Sequence, residues 1–285
     1  MRGWWQDLTD LVLPAECGGC GRPRTVLCPE CRAALHGSAP RRVRPVPEPA
    51  GLPVVHAAAA YEGAVRAMLL AHKERGVLTL ARPLGRALAG CVGAGLGETG
   101  DRAGGAWPSV LLVPVPSARR AVRARGHDPM RRIALAAAGE LRRAGTAARV
   151  AAVLRQRRAV ADQSGLGSRQ RLANLAGALE VAEGGARLLA DGPVVLVDDL
   201  MTTGASLAEA ARAVRAAVGH PRMRDPEVYA RVTGEARGER RAREATEVPA
   251  RVRWSAGKAA AHGATEEIHA AVIAAPPDSF EFNRN

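Results

Sequence analysis

Two adjacent carboxylates, Asp198 and Asp199, directly follow a run of four apolar residues at 194–197. A Thr/Gly/Ser turn comes next, and a helical pattern follows it. Backbone N–H groups at the start of a helix, hydroxyl groups and the positive end of the helix dipole together suit a phosphate. Carboxylates one step earlier can accept hydrogen bonds from vicinal sugar hydroxyls. The pattern therefore predicts a sugar 5-phosphate site formed by Asp198, Asp199, Thr202, Thr203, Gly204, Ala205 and Ser206. The alternative is a simple helix cap beside two solvated aspartates.

Four of the five cysteines form two Cys-x-x-Cys pairs that are separated by seven residues. Two pairs of thiolates on glycine-rich turns can converge on one tetrahedral ion, and four protein ligands leave no open position for a substrate. The spacing thus predicts a structural zinc site made of Cys17, Cys20, Cys28 and Cys31. Two redox or disulfide pairs are the alternative, which a cytosolic chain makes less favourable. Cys91 stands alone in an apolar stretch and is expected to be an inert core residue.

The net charge raises the question of a nucleic-acid partner. The chain of 285 residues has 41 Lys and Arg against 28 Asp and Glu, a net charge of +13. All but Lys73 and Lys258 of these cations are arginines, which indicates a coding bias toward GC-rich codons and weakens total charge as evidence. The distribution is more informative, because residues 111–180 hold 14 basic and only 4 acidic side chains. Most of the excess positive charge therefore belongs to one segment.

The sequence contains no apolar run of membrane-spanning length. Asp7 and Asp10 interrupt the first twelve residues, where an export signal would need an unbroken apolar stretch. These two observations predict a cytoplasmic protein without a membrane span.

Strand-like and helix-like segments alternate along the central part of the chain. Apolar runs predict strands at 54–60, 110–115, 150–154, 194–197 and 269–275, and helical periodicity predicts helices at 62–75, 79–91, 129–143 and 206–218. A glycine-rich loop is expected at 93–105. This alternation predicts an α/β fold with a parallel, doubly wound sheet, next to a small N-terminal zinc ribbon.

Composition divides the chain into five predicted parts. A helix and the zinc ribbon occupy 1–36, and a proline-rich extended linker occupies 37–53. The α/β domain covers 54–219, and the Arg/Glu-rich stretch 220–267 is predicted to be a disordered insertion. A final strand and tail at 268–285 would complete the sheet.

The segment from Val194 to Ser206 resembles the 5-phosphoribosyl-1-diphosphate (PRPP) signature of type I phosphoribosyltransferases. In order along the chain, other spaced motifs resemble the ComF (ComFC/GntX) family over residues 8–218 and the last strand. They are the cysteine pairs, Tyr61-Glu-Gly with Lys73, Val113-Pro-Val-Pro116 with Arg123-Ala-Arg125-Gly126, and Gln163, Leu166, Arg169 and Asn174. After Gly126 the family commonly has an aromatic residue and Asn-Gln, whereas His127, Asp128 and Pro129 stand here.

The resemblance implies the type I phosphoribosyltransferase fold, with PRPP as ligand and Mg²⁺ on its pyrophosphate. It also gives the basic segment a role, since guanidinium groups suit phosphate oxygens. The side chains expected to face the pyrophosphate or phosphate are Lys73, Arg119, Arg120, Arg123, Arg125 and Gln163. For any single arginine, a solvated basic surface is the alternative. Thr202 occupies the position of an aspartate that moves a base proton in enzymes acting on 6-oxopurines, which disfavours such an acceptor.

Two functions follow from these expectations. The first is a phosphoribosyltransferase that transfers the phosphoribosyl group of PRPP to an unidentified nitrogen acceptor and releases pyrophosphate. The second is a non-enzymatic PRPP-sensing or DNA-uptake (competence) accessory protein that binds single-stranded DNA or a protein of the competence machinery. Residues 111–180 contain no aromatic residue on which bases could stack, so support for DNA contact is thin. The sequence does not identify a catalytic base, and it leaves the oligomeric state open.

Overall fold

A computed structural model describes residues 16–99, 109–158, 168–219 and 268–283. It is a mixed α/β structure built on a six-stranded sheet, accompanied by a separate two-stranded ribbon. The strands of the sheet are β1 (Arg41–Val43), β2 (Val54–Ala60), β3 (Val110–Pro114), β4 (Ala148–Val150), β7 (Val194–Leu200) and β8 (His269–Ala275). The ribbon consists of β5 (Leu154–Gln156) and β6 (Leu179–Val181), which pair antiparallel.

The helices lie between these strands. They are α1 (Pro29–His36), α2 (Gly63–Lys73), α3 (Ala81–Thr99), α4 (Arg119–Arg125), α5 (Pro129–Arg143), α6 (Ser168–Leu175), α7 (Gly185–Leu189) and α8 (Ala205–Gly219). The start of α5 illustrates how the local sequence sets a boundary. Asp128 caps the helix by accepting a hydrogen bond from the N–H of Arg131 at 3.1 Å, and Pro129 occupies the first position, where its missing N–H costs nothing.

The strand order is β1-β2-β8-β7-β3-β4, and every pairing is parallel except that of β1 with β2. The prediction that the last strand joins the sheet is confirmed, and β8 lies inside the sheet, between β2 and β7. From β3 the chain continues through α5 to β4, and from β7 it continues through α8 to β8 in the opposite direction. The neighbouring strands β3 and β7 therefore flank a topological switch point, where open α/β sheets leave a crevice at the carboxyl ends of their strands.

Alternate residues of the central strands pack on opposite faces of the sheet. Leu112 and Val197 face one side with α3 and α5, and Leu111 and Leu196 face the other side with α8. Because the helices leaving β3 and β7 lie on opposite faces, they do not cover the crevice between these strands. The prediction of an α/β fold is confirmed, but the sheet is only mostly parallel, because the edge strand β1 pairs antiparallel with β2.

The predicted strand at 150–154 is wrong in its bounds. The chain leaves the sheet after Val150 and starts a new strand, β5, at Leu154. Single-sequence hydrophobicity cannot separate these short strands, because Ala151 and Val153 are buried in the connection as well. Neither the ribbon partner β6 nor the helices α4 and α6 were predicted.

The predicted glycine-rich loop at 93–105 is wrong over its first part, because α3 continues to Thr99. Gly95 shows why a glycine suits this helix, since a Cβ atom there would lie 3.3 Å from Nδ1 of the buried His56. The small residue allows α3 to approach the sheet closely. Residues 100–108 lie outside the described part of the chain.

The segment predicted as a linker, 37–53, contributes the edge strand β1 to the sheet. The cysteine-rich segment packs in the same apolar core as α2 and α3, where Gly18 lies directly against Leu80. The tail packs on the edge strand, with the guanidinium carbon of Arg41 4.7 Å from the centre of the Phe280 ring. The predicted N-terminal helix and the predicted disordered insertion at 220–267 fall on residues that the structure does not describe.

Within the described ranges, no helix has both the length and the apolar character needed to cross a lipid bilayer.

Candidate functional site

The two aspartates predicted to bind a sugar lie at the carboxyl end of β7, in the middle of the sheet. The strand enters as four buried apolar residues and becomes partly exposed at Asp198 and Asp199. Its neighbour β3 ends at the same level, since the N–H of Val115 donates to the carbonyl oxygen of Val197 at 2.9 Å. The side chain of Asp198 accepts a hydrogen bond from the N–H of Asp199 at 2.9 Å. Both carboxylates therefore lie at the switch point.

The predicted phosphate turn joins β7 to the helix α8. Gly204 has φ +74°, a conformation that strongly favours glycine, and it directly precedes the first helical residue, Ala205. A Cβ atom on Gly204 would lie 3.1 Å from both methyl carbons of Leu52, so the turn is also packed tightly. Thr202 is exposed, and Thr203 and Ser206 are partly exposed. The strand, the turn and the helix thus stand in the order that the sequence predicted.

Lys73 meets this site from another part of the chain. It is the last residue of α2, and its Nζ atom donates to Oδ2 of Asp199 at 2.9 Å. The side chain of Lys73 is 36% exposed and that of Asp199 is 14% exposed, so the ion pair is partly shielded from water. Lys73 was predicted to face a phosphate. The structure brings it into the predicted site, with an aspartate as its partner.

The surroundings of this group shift the pKa values of Asp198 and Lys73. Burial and the adjacent charge of Asp199 raise the pKa of Asp198 well above its usual range, and Lys73 only partly opposes this. Burial alone would lower the pKa of Lys73, but the carboxylates of Asp199 and Asp198 outweigh burial and raise it. The site therefore holds a charged ammonium group beside a carboxyl group that takes up a proton easily. Lys73 and the two aspartates can exchange their contacts with one another for contacts with the hydroxyl and phosphate groups of a sugar phosphate.

The basic segment after β3 forms α4 and the turn that follows it. Arg125, at the end of α4, donates through Nε and Nη2 to both carboxylate oxygens of Glu74, at 3.1 and 2.8 Å. His72, which directly precedes Lys73, is buried, and its Nε2 atom lies 3.3 Å from the carbonyl oxygen of Pro129. Arg125 thus joins α4 to the end of α2, which carries Lys73. Neither Glu74 nor His72 was predicted to take part, although both flank the rare lysine in the sequence.

A cavity of about 330 Å³ opens beside the carboxyl ends of β3 and β4. It is lined by Pro116, Ser117, Val122, Arg123, Asp128, Leu154, Arg155 and Gln156. Within the described part of the chain, the exposed Arg123 has no acidic partner, whereas Arg155 donates to Glu180 at 2.9 Å. An anionic group of a ligand could therefore meet Arg123 here.

The other side chains predicted to face a phosphate are Arg119, Arg120 and Gln163. Arg120 is exposed on α4, and Arg119 begins that helix. Gln163 lies outside the described residues. The structure thus brings together the aspartates, the turn and Lys73, and it places Arg123 in the neighbouring cavity.

The four paired cysteines converge as predicted. Their Sγ atoms all lie within 4.8 Å of one another, and those of Cys20 and Cys28 are 3.6 Å apart. A zinc ion bound by four thiolates at about 2.3 Å requires sulfur atoms about 3.8 Å apart, so the donor set fits a tetrahedral ion. The cluster could hold a metal ion such as zinc. All five cysteines of the chain are free thiols.

The backbone around the cluster favours the thiolate form of Cys17. The N–H groups of Cys28 and Cys31 point at the sulfur atoms of Cys17 and Cys28, at 3.4 and 3.5 Å. Burial opposes ionisation of Cys17, but backbone N–H groups, led by that of Cys28, outweigh burial and lower the pKa of this thiol to about 6. A Cβ atom on Gly19 would lie 2.6 Å from Sγ of Cys31, so the turn between Cys17 and Cys20 requires glycine at this position. Cys91 is buried elsewhere, as predicted, and its thiol donates to the carbonyl oxygen of Val272.

No protein-family model matches this chain, and no curated protein matches its sequence.

Proposed function

We propose that this protein binds PRPP and transfers its phosphoribosyl group to a nitrogen acceptor, as a ComF-family protein with the type I phosphoribosyltransferase fold. One observation carries the proposal. Asp198, Asp199 and the Gly204 turn stand at the switch point of a mostly parallel sheet, with Lys73 paired to Asp199. A sugar phosphate needs hydroxyl acceptors and a phosphate cradle side by side, and this juxtaposition supplies both.

In this proposal the ligand extends from the turn to the cavity. The 5-phosphate lies against the backbone N–H groups at the start of α8, and the ribose hydroxyls donate to Asp198 and Asp199. The pyrophosphate points to Arg123 in the cavity at the end of β3, and Mg²⁺ accompanying the ligand would neutralise part of its charge. Lys73 then leaves Asp199 for a sugar hydroxyl or a phosphate oxygen, which compensates for the ion pair it gives up.

The proposed reaction is a displacement at C1 of the ribose. A nitrogen atom of the acceptor forms a bond to C1 while the bond from C1 to the pyrophosphate oxygen breaks, and the electron pair leaves with pyrophosphate. The acceptor nitrogen then loses a proton to solvent. The residues of the site act by orienting the ribose and by neutralising the charge that develops on the leaving group.

The proposed role of the four-cysteine cluster is structural zinc binding. Three of its four cysteines, Cys17, Cys28 and Cys31, lie in the core shared with α2 and α3, and a closed tetrahedral site would leave no position for a substrate. Zinc would thereby hold the N-terminal segment against the helix that ends in Lys73.

Calorimetry with PRPP and with ribose 5-phosphate tests the binding site directly. We expect the wild type to bind both, and the Asp198→Asn/Asp199→Asn double variant to lose at least tenfold in affinity for each, about 1.4 kcal/mol or more. Asp191→Asn, which changes an exposed carboxylate paired with Arg149 on the surface, is the matched control. Unchanged PRPP binding in the double variant would refute the site.

Turnover requires a separate assay. Pyrophosphate release from PRPP, measured with a panel of nitrogen bases, should be detected for at least one acceptor and abolished in the double variant. PRPP binding without release for any acceptor would favour the sensing function instead. Binding of a single-stranded oligonucleotide without PRPP binding would favour the DNA-uptake function.

A further inference from the structure

Glu209 is a buried carboxylate on α8, about one turn beyond the proposed phosphate turn. Only 5% of the residue is exposed. Its Oε1 atom accepts a hydrogen bond from the N–H of Leu179 at 3.0 Å, and Arg212 donates to both carboxylate oxygens, at 2.7 and 2.8 Å. Burial opposes ionisation, but these donors outweigh burial and lower the pKa of Glu209. The folded protein therefore keeps a charged carboxylate in its interior.

Arg212 completes a clamp on one residue of the ribbon. Its Nη2 atom donates to the carbonyl oxygen of Leu179 at 2.9 Å while it also contacts Glu209. The N–H and the C=O of Leu179 are thus both bound by the ion pair on α8. The carboxylate of Glu209 is buried, and burying a charged group costs free energy unless hydrogen bonds compensate for it. The four hydrogen bonds among Glu209, Arg212 and Leu179 supply this compensation and fix the position of Leu179 relative to α8.

The clamped residue belongs to the ribbon whose other strand lines the cavity. Leu179 begins β6 and is paired in register with Gln156 of β5, and the neighbouring pair joins Arg155 to Glu180. Gln156 and Arg155 both line the cavity that also contains Arg123. The ion pair therefore ties the strand pair that lines the cavity to the helix whose first turn forms the phosphate cradle.

We propose that Glu209, acting through Arg212 and the backbone of Leu179, is a positioning residue that sets the distance between the phosphate turn and the pyrophosphate cavity. This inference rests on the proposed function, because it assumes that one ligand spans both places. PRPP has to reach the turn and the cavity together. Ribose 5-phosphate, which lacks the pyrophosphate, needs only the turn and the aspartates.

The test compares the dissociation constants of these two ligands in Glu209→Gln. The amide oxygen can still accept from Leu179, but the charge that holds Arg212 is lost. We expect the affinity for PRPP to fall at least tenfold and the affinity for ribose 5-phosphate to change less than twofold. A merely structural role would weaken both equally, and equal losses, or no loss, would overturn the proposal.

Two further variants keep the test decisive. Arg212→Met removes the cation from a side chain that is 50% exposed and retains the hydrogen bond from Leu179 to Glu209, and it should show the same selective loss. Arg212→Lys, which keeps a positive charge, should lose less PRPP affinity than Arg212→Met. Glu140→Gln is the matched control, because Glu140 and Arg143 form an i,i+3 ion pair on the surface of α5, and it should change neither affinity.

The outcomes separate this inference from the function on which it rests. A wild type that binds neither sugar phosphate would overturn both. A wild type that binds both, with a Glu209→Gln variant that retains the same ratio of affinities, would overturn the positioning role and leave the proposed function intact.

Discussion

The ammonium group of Lys73 lies 2.9 Å from Oδ2 of Asp199, although the two residues are 126 positions apart in the chain. The contact joins the end of α2 to the end of β7. It places a cation where the proposed ligand carries its hydroxyl and phosphate groups. The same cation balances the neighbouring carboxyl groups of Asp199 and Asp198, which water only partly reaches.

Replacing Lys73 with Met retains much of the aliphatic stem and removes the charge. We expect the free energy of unfolding at neutral pH to fall by about 1–2 kcal/mol, because a partly buried pair of carboxylates then lacks its cation. Chemical denaturation measures this difference. Arg75→Met removes an exposed cation two residues further along and should cost less than about 0.5 kcal/mol. Equal losses in the two variants would contradict a special role for the Lys73–Asp199 pair.

Asp198→Asn should stabilise the protein at neutral pH. Because the pKa of Asp198 is raised, the folded state keeps a proton that the unfolded chain, with a pKa of about 3.9, has already released. Stability therefore falls as the pH rises from the ordinary value to the raised one, and a neutral amide removes this loss. We expect a gain on the order of 1 kcal/mol at neutral pH.

The measurement is chemical denaturation of both proteins from about pH 4 to about pH 8. The gain of Asp198→Asn over the wild type should grow as the pH rises through this window. Asp278→Asn, at an exposed position of the tail, should give no such trend. An Asp198→Asn variant less stable than the wild type at neutral pH would show that the carboxylate stabilises the fold.

Gly204→Ala should damage the phosphate turn. The turn would hold alanine at a positive φ, and the new Cβ atom would lie 3.1 Å from the methyl carbons of Leu52. We therefore expect a loss of about 1–3 kcal/mol in the free energy of unfolding. Ribose 5-phosphate should bind more weakly as well. Gly97→Ala is the control, because no atom lies within 4 Å of its Cβ position in α3 and alanine favours the helix. Full ribose 5-phosphate affinity in Gly204→Ala would argue against the phosphate turn.

Cys28→Ser should abolish metal binding by the cysteine cluster. Elemental analysis of the wild type should give about one zinc ion per chain, and the variant should have close to none. Thermal unfolding of the wild type should shift to lower temperature with a strong chelator, whereas the variant should be insensitive to it. Cys91→Ser, outside the cluster, should retain the metal. Zinc at the wild-type level in Cys28→Ser would contradict the four-thiolate site.

The sequence by itself determined the features that are contiguous in the chain. The order of apolar strand, paired aspartates, glycine-containing turn and helix from Val194 to Gly219 can be predicted because neighbouring residues set it through local geometry. The same holds for the cysteine pairs, whose spacing within fifteen residues brings four thiols to one point. Hydrophobic periodicity and turn residues also predicted the alternation of strands and helices from which the sheet is built.

Only the tertiary structure decided which distant residues share the site. The pairing of Lys73 with Asp199, the commitment of Arg125 to Glu74 and the clamp of Glu209 on Leu179 depend on how the crossovers place α2, α4 and the ribbon around the switch point. Hydrophobic periodicity reports which face of an element is buried, but not which element covers it. The role of each basic or acidic side chain therefore followed from the packing, while its type alone left several roles open.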